Sequence, residues 1–189
     1  MKKEILLFIL SNFLLSGCVS TYKNPEPIVG TAKVRFASKI DIGYKNINVY
    51  FFNSDKDFCA TKLENSILVA SLNGIAISHN RKDLSLPLGE QFSKEAKTEI
   101  VVKADEPLLY KMGYYSPGTY LSTGYVQGFT GGGVCLVGGE FTPKLNHIYE
   151  VTYNIGDSKC ITEIFDLKNR VDTNYERVLE KSAHAAECK

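Results

Sequence analysis

His147-Ile148-Tyr149-Glu150-Val151-Thr152-Tyr153-Asn154-Ile155 sets Tyr149, Val151, Tyr153 and Ile155 against Glu150, Thr152 and Asn154, a period of two over the whole run. Successive side chains of a strand point to opposite faces, so the stretch reads as a strand with one face in a core and the other in water. The same period recurs on either side of it. Lys33-Val34-Arg35-Phe36 alternates, Ile47, Val49 and Phe51 share a face, and Ile100 and Val102 stand opposite Glu99, Val101 and Lys103. Gly156-Asp157-Ser158 turns the quoted strand toward Cys160 to Leu167. Asn73-Gly74 suits a hairpin between Ser66 and Ser78, because both residues tolerate positive φ; a helix from Thr61 to Leu72 stopped at the same dipeptide is the alternative. The β-branched Ile67, Val69, Ile75 and Ile77 favour the hairpin.

Eleven Tyr, ten Phe and 15 Gly with no Trp in 189 residues suit strands and turns. The expected fold is all-β: an immunoglobulin-like or transthyretin-like antiparallel β-sandwich over residues 31–168, of about seven or eight strands. Thr173-Asn174-Tyr175-Glu176 has capping-box spacing, and Tyr175, Val178, Leu179, Ser182 and Ala186 then share a helical face. Residues 169–189 are therefore expected to form a C-terminal amphipathic helix packed on the sandwich.

The chain opens with Lys2 and Lys3, then Ile5 to Leu15, apolar except for Ser11 and Asn12. This run of 11 residues is too short for a bilayer-spanning helix, which needs roughly 20, and the pattern is that of a secretory signal. The segment ends in Leu15-Ser16-Gly17-Cys18, which resembles the lipobox of bacterial lipoproteins. The resemblance implies that residues 1–17 are a signal peptide removed before Cys18, and that Cys18 becomes an acylated first residue carrying palmitate-type chains. It further implies an outer-membrane lipid anchor facing the periplasm, since Val19 stands where inner-membrane lipoproteins carry Asp. Residues 18–30, broken by Pro25 and Pro27, read as a lipidated tether that holds the domain clear of the headgroups. Lys2, Lys3 and Glu4 leave with the leader, so the mature chain carries equal numbers of acidic and basic residues.

With Cys18 given to lipid, Cys59, Cys135, Cys160 and Cys188 remain in an exported chain, and two disulfides are expected. If Cys135, the His147 strand and Cys160 occupy successive strands of one sheet, the two cysteines stand about 9.5 Å apart, beyond the roughly 7 Å a disulfide spans. That geometry favours Cys160 with Cys188 and Cys59 with Cys135. A crossing to the other sheet at Pro143 would instead make Cys135 with Cys160 attractive.

A net charge of +1 with scattered basic residues argues against nucleic acid. Gly131-Gly132-Gly133 is followed by Val134-Cys135 and lacks a Gly-Lys-Ser/Thr ending, which argues against a nucleotide. No Gly-x-Ser-x-Gly elbow occurs, no two cysteines have C-x-x-C spacing, and no His has metal or triad-like spacing to a carboxylate. No catalytic residue, cofactor or metal ligand is therefore expected, and an envelope hydrolase built on loops ranks last. Gly113 to Gly133 holds seven glycines with Tyr114, Tyr115, Tyr120, Tyr125 and Phe129 among them. Such a mixture suits a recognition loop, because aromatic rings give contact area at low entropic cost. The alternative is a strand pair whose rings cover the core.

The lipobox, the Pro-containing tether, the cysteine-bearing β domain and the run Phe141-Thr142-Pro143 to Tyr149-Glu150-Val151 together resemble proteobacterial cell-envelope lipoproteins. The resemblance implies an envelope location and no reaction. The expected function is a non-catalytic, membrane-tethered binding or structural module whose partner is an envelope protein or glycan. The alternative is an accessory lipoprotein of an envelope-spanning assembly such as a type VI-like secretion apparatus.

Overall fold

The structure, a computed structural model, describes residues 21–26, 29–39, 46–53, 63, 65–73, 81–116, 119–123, 126–130, 133–155, 160–171 and 174–184. Its strands are β1 (Thr31–Ser38), β2 (Ile47–Phe52), β3 (Ser66–Leu72), β4 (Lys97–Lys103), β5 (Leu108–Ser116), β6 (Thr119–Thr123), β7 (Val126–Thr130), β8 (Gly133–Phe141), β9 (Ile148–Ile155), β10 (Cys160–Val171) and β11 (Asn174–His184). They form a five-stranded sheet in the order β11-β10-β9-β1-β4, a four-stranded sheet β3-β2-β5-β8, and a two-stranded ribbon β6-β7. The fold is all-β, as the alternation predicted. The larger sheet is mixed, however, because β1 runs parallel to β9 with Phe36 opposite Val151. The expected purely antiparallel arrangement fails at that pair, since β1 enters from the chain start between strands that are distant in sequence.

The two sheets share one core. Val34, Phe36, Ile100, Val151 and Ile164 from the larger meet Val49, Phe51, Tyr110, Met112 and Val137 from the smaller in a single buried cluster. Burying each such aliphatic or Phe side chain stabilises the fold by about 1.5–3 kcal/mol before entropy is counted.

The expected C-terminal helix does not form. Asn174–His184 is β11, hydrogen-bonded along β10 with Leu167 opposite Arg177 and Phe165 opposite Leu179. The reason is tertiary: β10 is 12 residues long and would otherwise leave one whole edge unpaired, a larger effect than the helix propensity of the Glu, Arg and Leu in this segment. Irregularities between Ile164 and Phe165 and between Asn169 and Val171 let the pair stay in step. The alternative helix over Thr61 to Leu72 is likewise overturned, because Ser66–Leu72 is strand. Asn73 adopts positive φ (58°) as a turn residue would, and residues 74–80 lie outside the described set.

Both lateral seams between the sheets are closed by specific groups. At the β8 side Cys135 and Cys160 form a disulfide with Cα atoms 5.9 Å apart. This corrects the favoured pairing of Cys160 with Cys188 and Cys59 with Cys135. The chain does cross sheets in the segment holding Pro143, so β8 faces β10 across the core and is not two strand spacings from it in one sheet. The Tyr153 hydroxyl donates to the Cys135 carbonyl at 2.9 Å, and the Tyr110 and Thr162 hydroxyls hydrogen-bond at 2.9 Å across the same interior.

At the other side Tyr22 bridges the edges of β3 and β4. Its amide donates to Leu68 O (3.0 Å), its hydroxyl donates to Val101 O (2.8 Å), and its ring meets Phe51 edge-on at 5.0 Å. Asn24 Oδ1 accepts from the Val101 amide at 3.4 Å, and Thr21 pairs with Leu68 in parallel sense. Within the stretch read as a free tether, Thr21, Tyr22 and Asn24 are thus docked, and they satisfy edge groups of β4 that would otherwise invite strand addition.

Burial pushes the Tyr22 hydroxyl up to about 12. A raised phenol favours the folded state fully below its unfolded value near 10, and that contribution is lost as pH climbs toward 12. Stability should therefore fall between about pH 10 and 12 less steeply in Tyr22→Phe than in the parent, as read from urea midpoints across that window.

Candidate functional site

The carboxylates expected to face water are buried. Arg35 on β1 stands in register with Glu99 on β4 and with Glu150 on β9, and all three are fully enclosed. Arg35 Nε donates to Glu99 Oε1 at 2.9 Å and Nη1 to Glu150 Oε2 at 2.8 Å. Its Nη2 donates to the carbonyls of Leu86 (2.6 Å) and Pro87 (2.9 Å). Glu99 Oε2 accepts the amides of Leu84 (2.7 Å) and Leu86 (3.1 Å). Arg177 on β11 completes the cluster with Nε to Glu150 Oε1 at 2.7 Å and Nη2 to Leu88 O at 3.3 Å.

The outer face of the larger sheet is polar because it binds backbone, that of the segment from Leu84 to Leu88. Gly89 packs closely there: a Cβ would lie 2.7 Å from Nη2 of Arg35, a side chain that four hydrogen bonds hold in place. Every carboxylate oxygen of the cluster already accepts a hydrogen bond, and no nucleophile takes part. Its chemistry is that of a fastening and offers no open position to a substrate.

A second polar pair lies where β9 begins. His147 Nδ1 is 2.9 Å from Asp166 Oδ2, the carboxylate is buried, and the half-exposed ring stacks on Tyr149 at 18°. The groove beside it, of about 360 Å³, is lined by Asn146, Ile148, Leu167, Lys168 and Tyr175. A His–carboxylate pair is the orienting half of a nucleophilic triad, but among the described residues no Ser, Thr or Cys lines this groove. The register of β9 and β10 explains the pair: Tyr149 is opposite Asp166, and His147 is one step beyond on the same face. The turn read at Gly156-Asp157-Ser158 implies that register, a signal the spacing of residues along the chain did not reveal.

A larger groove, about 430 Å³, runs beside the docked N-terminal segment between Tyr22, Pro25, Phe52, Ile67 and Leu108.

The glycine- and tyrosine-rich stretch becomes the end of β5, the ribbon β6-β7 and the start of β8. Tyr114 pairs with Cys135 and is half-buried, Tyr115 pairs with Val134, and Tyr120 stands opposite Phe129 in the ribbon. Tyr125, like Cys18, Cys59 and Cys188, lies outside the described residues. Gly113 has φ of 155°, and a Cβ there would collide with the Cys135 carbonyl, so this glycine lets β5 and β8 approach. The ribbon leaves the four-stranded sheet at the Ser116–Gly133 end. Leu108 and Phe141, where Tyr22 and Pro25 line the neighbouring groove, mark the opposite end, about 26 Å away along β5. Among the described residues no group of three or more His, Cys, Asp or Glu side chains could hold a metal ion.

Comparison with family models, with curated proteins and with solved structures found no match to this chain.

Proposed function

We propose that the protein is a lipid-anchored lipoprotein of the bacterial outer membrane, and that its two-sheet body, read as a β-sandwich of immunoglobulin-like or transthyretin-like build, is a non-catalytic binding module. The acyl chains on Cys18 supply the anchor, and the β6-β7 ribbon engages an envelope protein or glycan on the periplasmic side. The observation that carries this reading is the polarity of the body: Tyr22 and Pro25, shortly after position 18, line the groove at the Leu108 end, and the ribbon is rooted at the Ser116 end. A two-stranded ribbon paired only with itself is marginal in water, so a partner that covers it gains affinity from ordering it. The internally satisfied Arg35 cluster supports a binding role over a catalytic one, since its charges are spent on the fold.

Crosslinking in intact cells, followed by identification of what Tyr120→Ser/Tyr125→Ser no longer captures, tests the module. The expected result is loss of the partner with the thermal midpoint nearly unchanged, since exposed substitutions usually stay within about 0.5 kcal/mol. Retained capture together with a large drop in stability would assign the rings to the scaffold. Captured partners that belong to one envelope-spanning machine would make the module an accessory of that assembly.

A further inference from the structure

We propose that the Leu108 end of the body is a membrane-resting face, in direct contact with the lipid interface. The proposal rests on the reading that Cys18 is lipidated, and it adds an orientation to it. Thr21 is already fixed to Leu68, and the three residues from Cys18 to Thr21 span at most about 11 Å. Because the pairing is parallel, the chain enters Thr21 from the Ser66 side of β3, the side nearest Leu108. Acyl chains on Cys18 would hold this end at the headgroups, with no spacer between.

The surface at this end is built for such contact. Its loops are bonded into one platform: Ala104 N donates to Gly30 O at 2.9 Å, Asp105 N to Pro143 O at 2.7 Å, and Asn146 N to Thr31 O at 3.0 Å. On it stand Val29, 83% exposed, and Leu145, 48% exposed, two of the three large apolar side chains that the described residues leave in water; the third, Leu179, is on β11. An apolar side chain held on a rigid loop loses little further entropy on entering the interface. Among the described residues of these segments, Lys23, Lys103 and Lys144 are matched in number by Glu26, Asp105 and Glu106. Lysine stems can lie along the interface with their heads in water. The contact is therefore apolar and short-ranged, without preference for anionic lipid and insensitive to salt.

The chain contains no Trp, so a single introduced indole reports its own surroundings. Val29→Trp and Leu145→Trp place it on the proposed face, and Lys94→Trp places it on an exposed site near the opposite end. Each full-length protein is expressed with its leader, extracted from membranes and reconstituted into phosphatidylethanolamine–phosphatidylglycerol vesicles with or without brominated acyl chains. Emission from Val29→Trp and Leu145→Trp should fall about twofold with bromine, equally at low and high salt, while Lys94→Trp is unchanged. Absence of quenching at both sites in protein that carries fatty-acid label overturns the resting face and leaves the anchor standing. Equal quenching at all three sites also overturns it, because the body would then have no fixed orientation. Absence of label overturns the anchor and this inference together.

Discussion

Arg35→Ala should lower unfolding stability by about 3–5 kcal/mol, the usual cost of leaving a buried charge without its partner. The substitution takes the guanidinium from buried Glu99, leaves Glu150 with Arg177 alone, and frees the carbonyls of Leu86 and Pro87. The damage should be local in structure as well as large in energy. Hydrogen exchange at the Leu84 and Leu86 amides, which Glu99 accepts, should speed up before exchange in β9 or β5 does. The double change Arg35→Met and Glu99→Gln should recover much of the loss, because it removes the uncompensated charge, keeps an acceptor for those amides and leaves Glu150 paired with Arg177. If Leu84 and Leu86 stay protected in Arg35→Ala, the cluster does not fasten the segment that covers it.

Cys160→Ala should cost about 3 kcal/mol, since the disulfide it breaks closes a loop of sequence separation 25 and restricts the unfolded chain. In a domain of this size that corresponds to a thermal midpoint lower by about 10 °C. The β8 side of the body should loosen first, because Tyr153 and Tyr110 then hold that seam by hydrogen bonds alone. Non-reducing digestion of the parent protein should yield a peptide joining Cys135 to Cys160. A peptide joining Cys160 to Cys188, or Cys59 to Cys135, would contradict the crossing of the chain between sheets.

The strands were legible because the core is lined by alternate residues, and Tyr149, Val151 and Tyr153 are buried as the period of two requires. The other half of the same alternation misled. Glu150, Thr152 and Glu99 look solvent-facing in sequence, yet they are enclosed, because residues 81–96 fold over the outer face of the larger sheet. Nothing local marks that cover: its Leu86 and Pro87 carbonyls are held by Arg35, 51 and 52 residues away in sequence. The disulfide stayed conditional for a related reason, since its geometry depends on which sheet β8 joins. β11 was misread because Thr173-Asn174-Tyr175-Glu176 has helix-start chemistry and the following residues suit either period; the free edge of β10 decided between them.

The docked Tyr22 shows a limit of composition as a guide. Two prolines and polar neighbours read as a spacer, yet one aromatic residue and one Asn fix the segment to the edges of two sheets. If the anchor is where the sequence places it, this docking turns a loose attachment into an oriented one. The ribbon with Tyr120 opposite Phe129 is then carried on the side remote from the membrane.

The central claim is best tested on the N-terminal peptide of protein extracted from membranes by detergent, measured by mass spectrometry. The account predicts a chain beginning at Cys18 with its mass raised by a diacylglyceryl group and an amide-linked fatty acid. A peptide that continues through Gly17 into an unmodified Cys18, or a mature chain beginning elsewhere, would contradict it.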